Sequence, residues 1–253
     1  MLAAFHQTPL SSWTYRPLLE VSSYTGILLA FDTPGYGDSD PLDATGLAGQ
    51  TPANLRSFSR RLEGALRELA PDRPLLLLGQ HTGAHLALLL AVDGSVDVRG
   101  VVFQGLTLYT EEERIARLRD YAPAIRPRAD GVHLAAVWER IGRLYPTADV
   151  KLRNRMVRDY LAADPDYAAA YRAVFAFDVE PAADAFAALG TPSAVAIGTE
   201  DLVYGRQQRV IDRFGSELIA LEGRTDHAVS EDPLGFAAAL DPWLECHAAR
   251  GPQ

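Results

Sequence analysis

Cysteine is almost missing from this chain: Cys246 is the single one among 253 residues. No intramolecular disulfide can form, and nothing points to an oxidising compartment. A basic surface is missing too. The formal net charge is -9 and no cluster of Lys or Arg occurs, which argues against a nucleic-acid partner, since such a surface needs cations that displace counterions. The opening stretch MLAAFHQTP has no basic leader and too few apolar residues for a signal peptide or a membrane span. Internal repeats and low-complexity tracts are not visible. These absences read as a soluble, cytoplasmic protein with neither a nucleic-acid nor a membrane partner; monomer and homodimer both stay open.

With 48% hydrophobic residues over 253 positions, the chain can bury one large core, and α/β folds of this size are usually a single domain. Short apolar runs alternate with helical stretches. Strands are expected at Met1 to Phe5, Gly26 to Phe31, Pro74 to Gly79, Val98 to Phe103, Ser193 to Ile197 and Glu217 to Leu221. Helices are expected over Trp13 to Val21, Thr51 to Leu69 with Thr51 as a candidate N-cap, Ala84 to Val92, Tyr204 to Phe214 and Pro233 to Ala248. Such alternation implies right-handed crossovers and a mostly parallel central sheet flanked by helices. From Tyr109 to Leu189 the alternation stops. That stretch reads as four or five short helices punctuated by prolines, Asp164-Pro165 among them, and is rich in aromatics. The expected division is a core over 1–108 and 190–253, with a helical lid over 109–189 inserted between strands. Some of the aromatics should line a cavity, because ligand pockets are mainly apolar.

The most informative stretch is PLLLLGQHTGAHLALLLAV, residues 74–92. Four leucines read as a buried strand of a parallel sheet. The chain then turns at Gly79-Gln80-His81-Thr82-Gly83 straight into an apolar helix. A strand turning at once into a helix, with small residues two before and two after the apex, has the shape of a nucleophile elbow, G-x-S-x-G. Histidine stands where the serine would be.

In order, HQTP at 6–9, DTPGYGDS at 32–39, GQHTG at 79–83, the helical insertion, AIGTED at 196–201 and TDHAV at 225–229 resemble the α/β-hydrolase superfamily across nearly the whole chain. The resemblance implies an α/β-hydrolase fold with a helical lid, and it places an acid after the penultimate strand and a histidine after the last. Those positions fall on Asp201, with Glu200 competing, and on His227. It also implies backbone oxyanion donors at Thr8 and Thr82, with His6 and Gln7 standing in the place of the family's His-Gly pair. Gln104, at a strand end, is a candidate pocket residue. The resemblance would have a hairpin of strands precede the first central strand; either this edge of the sheet is trimmed or the true start lies upstream.

An apex imidazole can attack directly, or His81 and an Asp201-His227 pair can act as acid and base around a bound substrate or water. The acid/base role is preferred, because an imidazole fixed at a tight turn is bulkier and less freely aimed than a hydroxyl. The expected geometry has the two imidazoles close together and Asp201 hydrogen-bonded to the far side of His227. The expected activity is hydrolysis of a small ester, lactone or activated carbon-carbon bond. A cofactor-free lyase or isomerase, or a non-catalytic binding protein, are the alternatives. No cofactor and no metal are expected, since Asp201 should sit behind His227 in a line and not in a ligand triangle. His85 reads as a packed helix residue, Asp226 as an exposed loop carboxylate, and His133 and His247 as surface residues.

Overall fold

The computed structural model describes residues 1–42, 54–93, 95–163 and 166–248. Six strands, β1 (Leu2–Phe5), β2 (Leu28–Phe31), β3 (Leu75–Gln80), β4 (Val98–Gln104), β5 (Ser193–Gly198) and β6 (Glu217–Leu221), form one sheet in the order β2-β1-β3-β4-β5-β6. Every pairing is parallel. β1, β3 and β5 are buried along their whole length, whereas the edge strands β2 and β6 are partly open. This is why the central strands read as unbroken apolar runs.

Successive side chains on each strand point to opposite faces. Ala3, Phe5, Leu75, Leu77, Val101, Phe103, Val195 and Ile197 enter one core, which also holds α2 (Leu55–Leu69), α3 (Thr82–Val92) and α9 (Gln207–Phe214). Leu2, Ala4, Leu76, Leu78, Val102, Ala194 and Ala196 enter the other, against α1 (Arg16–Val21), α10 (Ala228–Glu231) and α11 (Pro233–Ala248). The result is the three-layer α/β-hydrolase architecture, with helices on both faces of the sheet.

Two expected helices begin with a 3-10 turn, Ser12–Tyr15 before α1 and Tyr204–Arg206 before α9. α2 is capped by Asn54, whose side chain accepts the Ser57 amide; Thr51 lies outside the described residues, as do Asp164 and Pro165. Between β4 and β5 run α4 (Glu111–Asp120), α5 (Val132–Leu144), α6 (Val150–Ala162), α7 (Ala169–Ala176) and α8 (Glu180–Leu189). α4 opens with the capping box of Thr110 and Glu113. α8 packs on α3 and α9, and its Phe186 meets Phe103 and Phe214, so it belongs to the helix layer over the sheet.

His247 is buried and stacked on Trp243 at 4.1 Å, not on the surface as expected. Its Nδ1 faces the Trp243 carbonyl at 2.8 Å one turn back, so the last helical turn shelters it.

Candidate active site

Strand order reverses between β1 and β3, which makes the carboxyl ends of these two strands the topological switch point. His6, Gln7 and Thr8 follow β1, and His81 follows β3. His81 adopts φ 48° and ψ -104°, a conformation that costs an L residue on the order of 1–3 kcal/mol and persists only where the surroundings enforce it. Here they do. The His81 amide donates to the Gln104 carbonyl at 2.7 Å. A Cβ on Gly79 would collide with the Gly83 carbonyl, and one on Gly83 with the Phe5 carbonyl. The glycines are thus required by close backbone approach, and the turn is an elbow.

The imidazole at the apex lies across Gly105, where an added Cβ would sit 2.9 Å from its Nε2. From there Nε2 reaches Asp201 Oδ2 at 3.0 Å. The other carboxylate oxygen, Oδ1, accepts the Val203 amide at 2.8 Å. Asp201 is buried and Glu200 exposed, which separates the two candidates for the acid. Burial pushes His81 toward the neutral form, but the Asp201 carboxylate, its hydrogen bond and the charge of Asp226 outweigh that and lift the imidazole to about 9. Burial likewise works against the Asp201 anion, yet the His81 imidazolium, the Val203 amide and His227 hold its carboxyl below the usual value.

The expected pairing of Asp201 with His227 is therefore not formed. A serine hydroxyl is too short to reach across Gly105, whereas an imidazole spans that gap and takes the place beside the acid. His227 is buried, with Nε2 making no hydrogen bond; it stands 3.8 Å from Asp226 Oδ2 and edge-on to the Tyr145 ring at 4.5 Å. It does not line the cavity.

That cavity, about 160 Å³, is walled by Gln7, His81, Thr82, His85, Thr107 and Asp226 from the sheet side, and by Tyr109, Arg117, Tyr121, Tyr145, Tyr171 and Phe175 from the insertion. The sequence had marked Gln7, His81 and Thr82. It missed Asp226, which is buried at 4% exposure and not exposed as expected; its position next to His227 was the available signal. Of the other expected pocket residues, His6, Thr8 and Gln104 are not on the wall, and their contacts explain why. His6 is a buried clamp: its Nδ1 donates to the Gln7 carbonyl at 2.9 Å and its Nε2 accepts the Thr33 amide at 3.0 Å. Burial lowers its pKa, which keeps this neutral tautomer. The Thr8 carbonyl accepts the Tyr171 hydroxyl. Gln104, fully buried, donates Nε2 to the Asp226 carbonyl at 3.2 Å, and Gln80 donates to the same oxygen. Neither the Thr8 nor the Thr82 amide is hydrogen-bonded to a described residue.

His85 is packed one turn into α3, as expected of a helix residue, but it also touches the cavity. Its Nδ1 and Nε2 each face a backbone carbonyl at 3.0 Å, those of His81 and Thr107. Burial lowers its pKa against these two contacts, and the ring braces the elbow carbonyl. Among the described residues no group of three or more His, Cys, Asp or Glu is arranged to hold a metal, and no helix is long and apolar enough to cross a membrane.

The profile of the alpha/beta hydrolase family matches residues 8–239, and the chain belongs to that family. It is an enzyme of the α/β-hydrolase type. No curated protein sequence matches it. Solved structures similar to it include MenH from S. aureus, with 15% identity, 98% of this chain and 94% of that one covered, and a TM-score of 0.77. An E-2-(acetamidomethylene)succinate hydrolase is 18% identical over 97% and 91% of the two chains, with a TM-score of 0.72. The enol-lactonase from Burkholderia xenovorans LB400 is 17% identical over 96% and 90%, with a TM-score of 0.70.

Proposed function

We propose that the protein hydrolyses a small acyl compound, an ester, a lactone or an activated carbon-carbon bond, by general acid/base catalysis and without an acyl-enzyme. The observation that carries this reading is the 3.0 Å contact between His81 Nε2 and Asp201 Oδ2. With its pKa near 9, roughly one His81 in a hundred is a free base at pH 7. A nucleophile or base at the apex is mostly blocked, while a proton donor is ready. Nε2–H is spent on Asp201, and Nδ1–H carries no hydrogen bond to a described residue.

In this mechanism a water molecule gives a proton to the Asp226 carboxylate and its oxygen bonds to the acyl carbon. The Thr82 amide and the loop of Gln7 and Thr8 stabilise the resulting oxyanion. His81 delivers its Nδ1 proton to the leaving oxygen or carbon as that bond breaks, and solvent returns the proton held by Asp226 to His81. His227 packs behind Asp226, its Nε2 3.8 Å from the carboxylate. The 160 Å³ cavity is of the size that admits a benzene-sized body, so the reacting part of the substrate is small. Hydrolysis also agrees with what similar structures are said to be, an enol-lactonase and a hydrolase of a substituted succinate.

The test is turnover of an aryl acetate, a small lactone and a β-diketone by wild type, His81→Ala and Asp226→Asn, with intact-mass detection. Loss of turnover in both variants and an unmodified mass in wild type are expected. An acyl adduct on His81, or full activity in both variants, overturns the mechanism.

A further inference from the structure

The charges facing the cavity do not all find partners within the protein. His81 and Asp201 neutralise each other. The guanidinium groups around the insertion are engaged as well: Arg114 donates to the Phe175 carbonyl, Arg140 to the Tyr121 carbonyl, and Arg206 and Arg209 pair with Glu113. Arg117 differs. It lines the cavity, yet its side chain forms no hydrogen bond and no ion pair with a described residue; its Nε is buried without an acceptor, as are those of Arg114 and Arg140, but its terminal nitrogens, unlike theirs, have no protein partner either. Its position is nevertheless fixed, because the guanidinium stacks on the Tyr109 ring at 4.5 Å. That ring is held in turn by edge contact with Phe175 at 5.9 Å.

A buried guanidinium N–H without an acceptor is costly, and a planar fork held over an aromatic ring is placed for bidentate recognition of a planar anion. From this free fork on the cavity wall we infer that the substrate carries a carboxylate, which Arg117 binds at the insertion side of the cavity while the acyl group faces His81 and Thr82. The substrate class is thus a small acyl compound bearing a carboxylate at its far end, with an apolar body that the rings of Tyr109, Tyr121 and Phe175 enclose. This inference names the substrate of the hydrolysis proposed above and rests on that reading for its acyl end; the carboxylate end can be tested without any turnover.

The experiment is calorimetric titration with benzoate and hexanoate, each against its neutral amide, benzamide and hexanamide. The proteins are wild type, Arg117→Gln, Arg117→Lys, His81→Ala and, as a control on the same helix, Arg119→Gln, whose arginine pairs outside the cavity with Asp120. Wild type should bind the carboxylates at least tenfold more tightly than the amides. Arg117→Gln should erase that preference and leave amide binding unchanged. Arg117→Lys should keep part of it, and Arg119→Gln should keep all of it. Equal affinity of wild type for acid and amide overturns the inference. So does a preference that survives Arg117→Gln but disappears in His81→Ala, because the anion would then sit at the elbow. An Arg117-dependent preference in a protein that turns over no ester, lactone or β-diketone would support the carboxylate site and count against the hydrolysis reading alone.

Discussion

Replacing Asp201 by asparagine isolates the contact on which the chemistry depends. In the wild type the His81 imidazole is raised from 6.5 to about 9. At 1.36 kcal/mol per unit this net shift corresponds to about 3 kcal/mol of preference for the protonated form. It is a remainder, since burial works in the opposite direction and is overcome chiefly by the Asp201 charge and hydrogen bond. An asparagine keeps the shape and one acceptor but removes the charge, so burial then prevails and His81 should titrate at or below 6.5. Carbon- and nitrogen-detected titration of the imidazole by NMR reads this directly.

Stability should follow with a defined sign. A folded-state pKa above the unfolded one means that the His81 contribution is complete below 6.5 and is lost as pH rises through 9. The depressed Asp201 carboxyl describes the same pair from the other partner, complete above about 3.8 and lost as pH falls below it. The gap between wild type and Asp201→Asn should therefore be widest between about pH 4 and 6.5, where about 3 kcal/mol means a drop in Tm of roughly 6–12 °C for a chain of this size. It should narrow steadily toward pH 9. A wild-type His81 titrating at 6.5 or lower, or a gap that stays constant from pH 6 to pH 10, would refute the reasoning.

Activity should fall above pH 9 as His81 loses the proton it donates; a pH-rate profile rising through that value contradicts the acid role. Gly105→Ala places a methyl 2.9 Å from His81 Nε2 at a residue with φ +77°, which should cost about 1–3 kcal/mol in urea unfolding and lower the His81 pKa in the same NMR titration. His81→Ser should not create an efficient esterase, because His227 makes no hydrogen bond to Asp201; rapid ester turnover with an acyl adduct on the new serine would show that His227 moves in to complete a triad. Asp159→Ala removes the carboxylate that joins Ser11 and Arg155 across the insertion and the loop after β1. With Arg155 partly open to solvent, that should cost about 1–3 kcal/mol, checked by thermal unfolding.

Much of this fold could be read from residue patterns because the patterns have single physical causes. Unbroken runs such as Leu75 to Leu78 occur where both sheet faces are covered, and Gly79 and Gly83 flank the elbow because backbone atoms occupy the space a Cβ would need. The turn formers of DTPGYGDS mark a turn, and Asp32 organises it by accepting the Ser12 and Asp38 amides. Side-chain pairing was harder to read. Sequence order places an acid and a histidine on neighbouring loops but does not say which imidazole arrives first. The competition between His81 and His227 for Asp201 is decided by the length of a ring and the bareness of Gly105. Gln104 was legible as a strand-end residue, but not that its amide turns to a backbone oxygen. Arg117 lay within a charged helix, Glu111–Asp120, where nothing marked one arginine among its neighbours; only the tertiary packing leaves it without an acceptor.

Gln80 and Gln104 reach the Asp226 carbonyl from the ends of β3 and β4, and both are sealed from solvent. Two strand ends and the loop after β6 thus share a single oxygen as their point of registration. In a saturation scan of this gene product, the two glutamines should behave as active-site positions, intolerant even of glutamate, although neither side chain borders the cavity. A reader of such a scan who mapped only substrate-facing side chains would overlook the positions that set where the acidic loop stands.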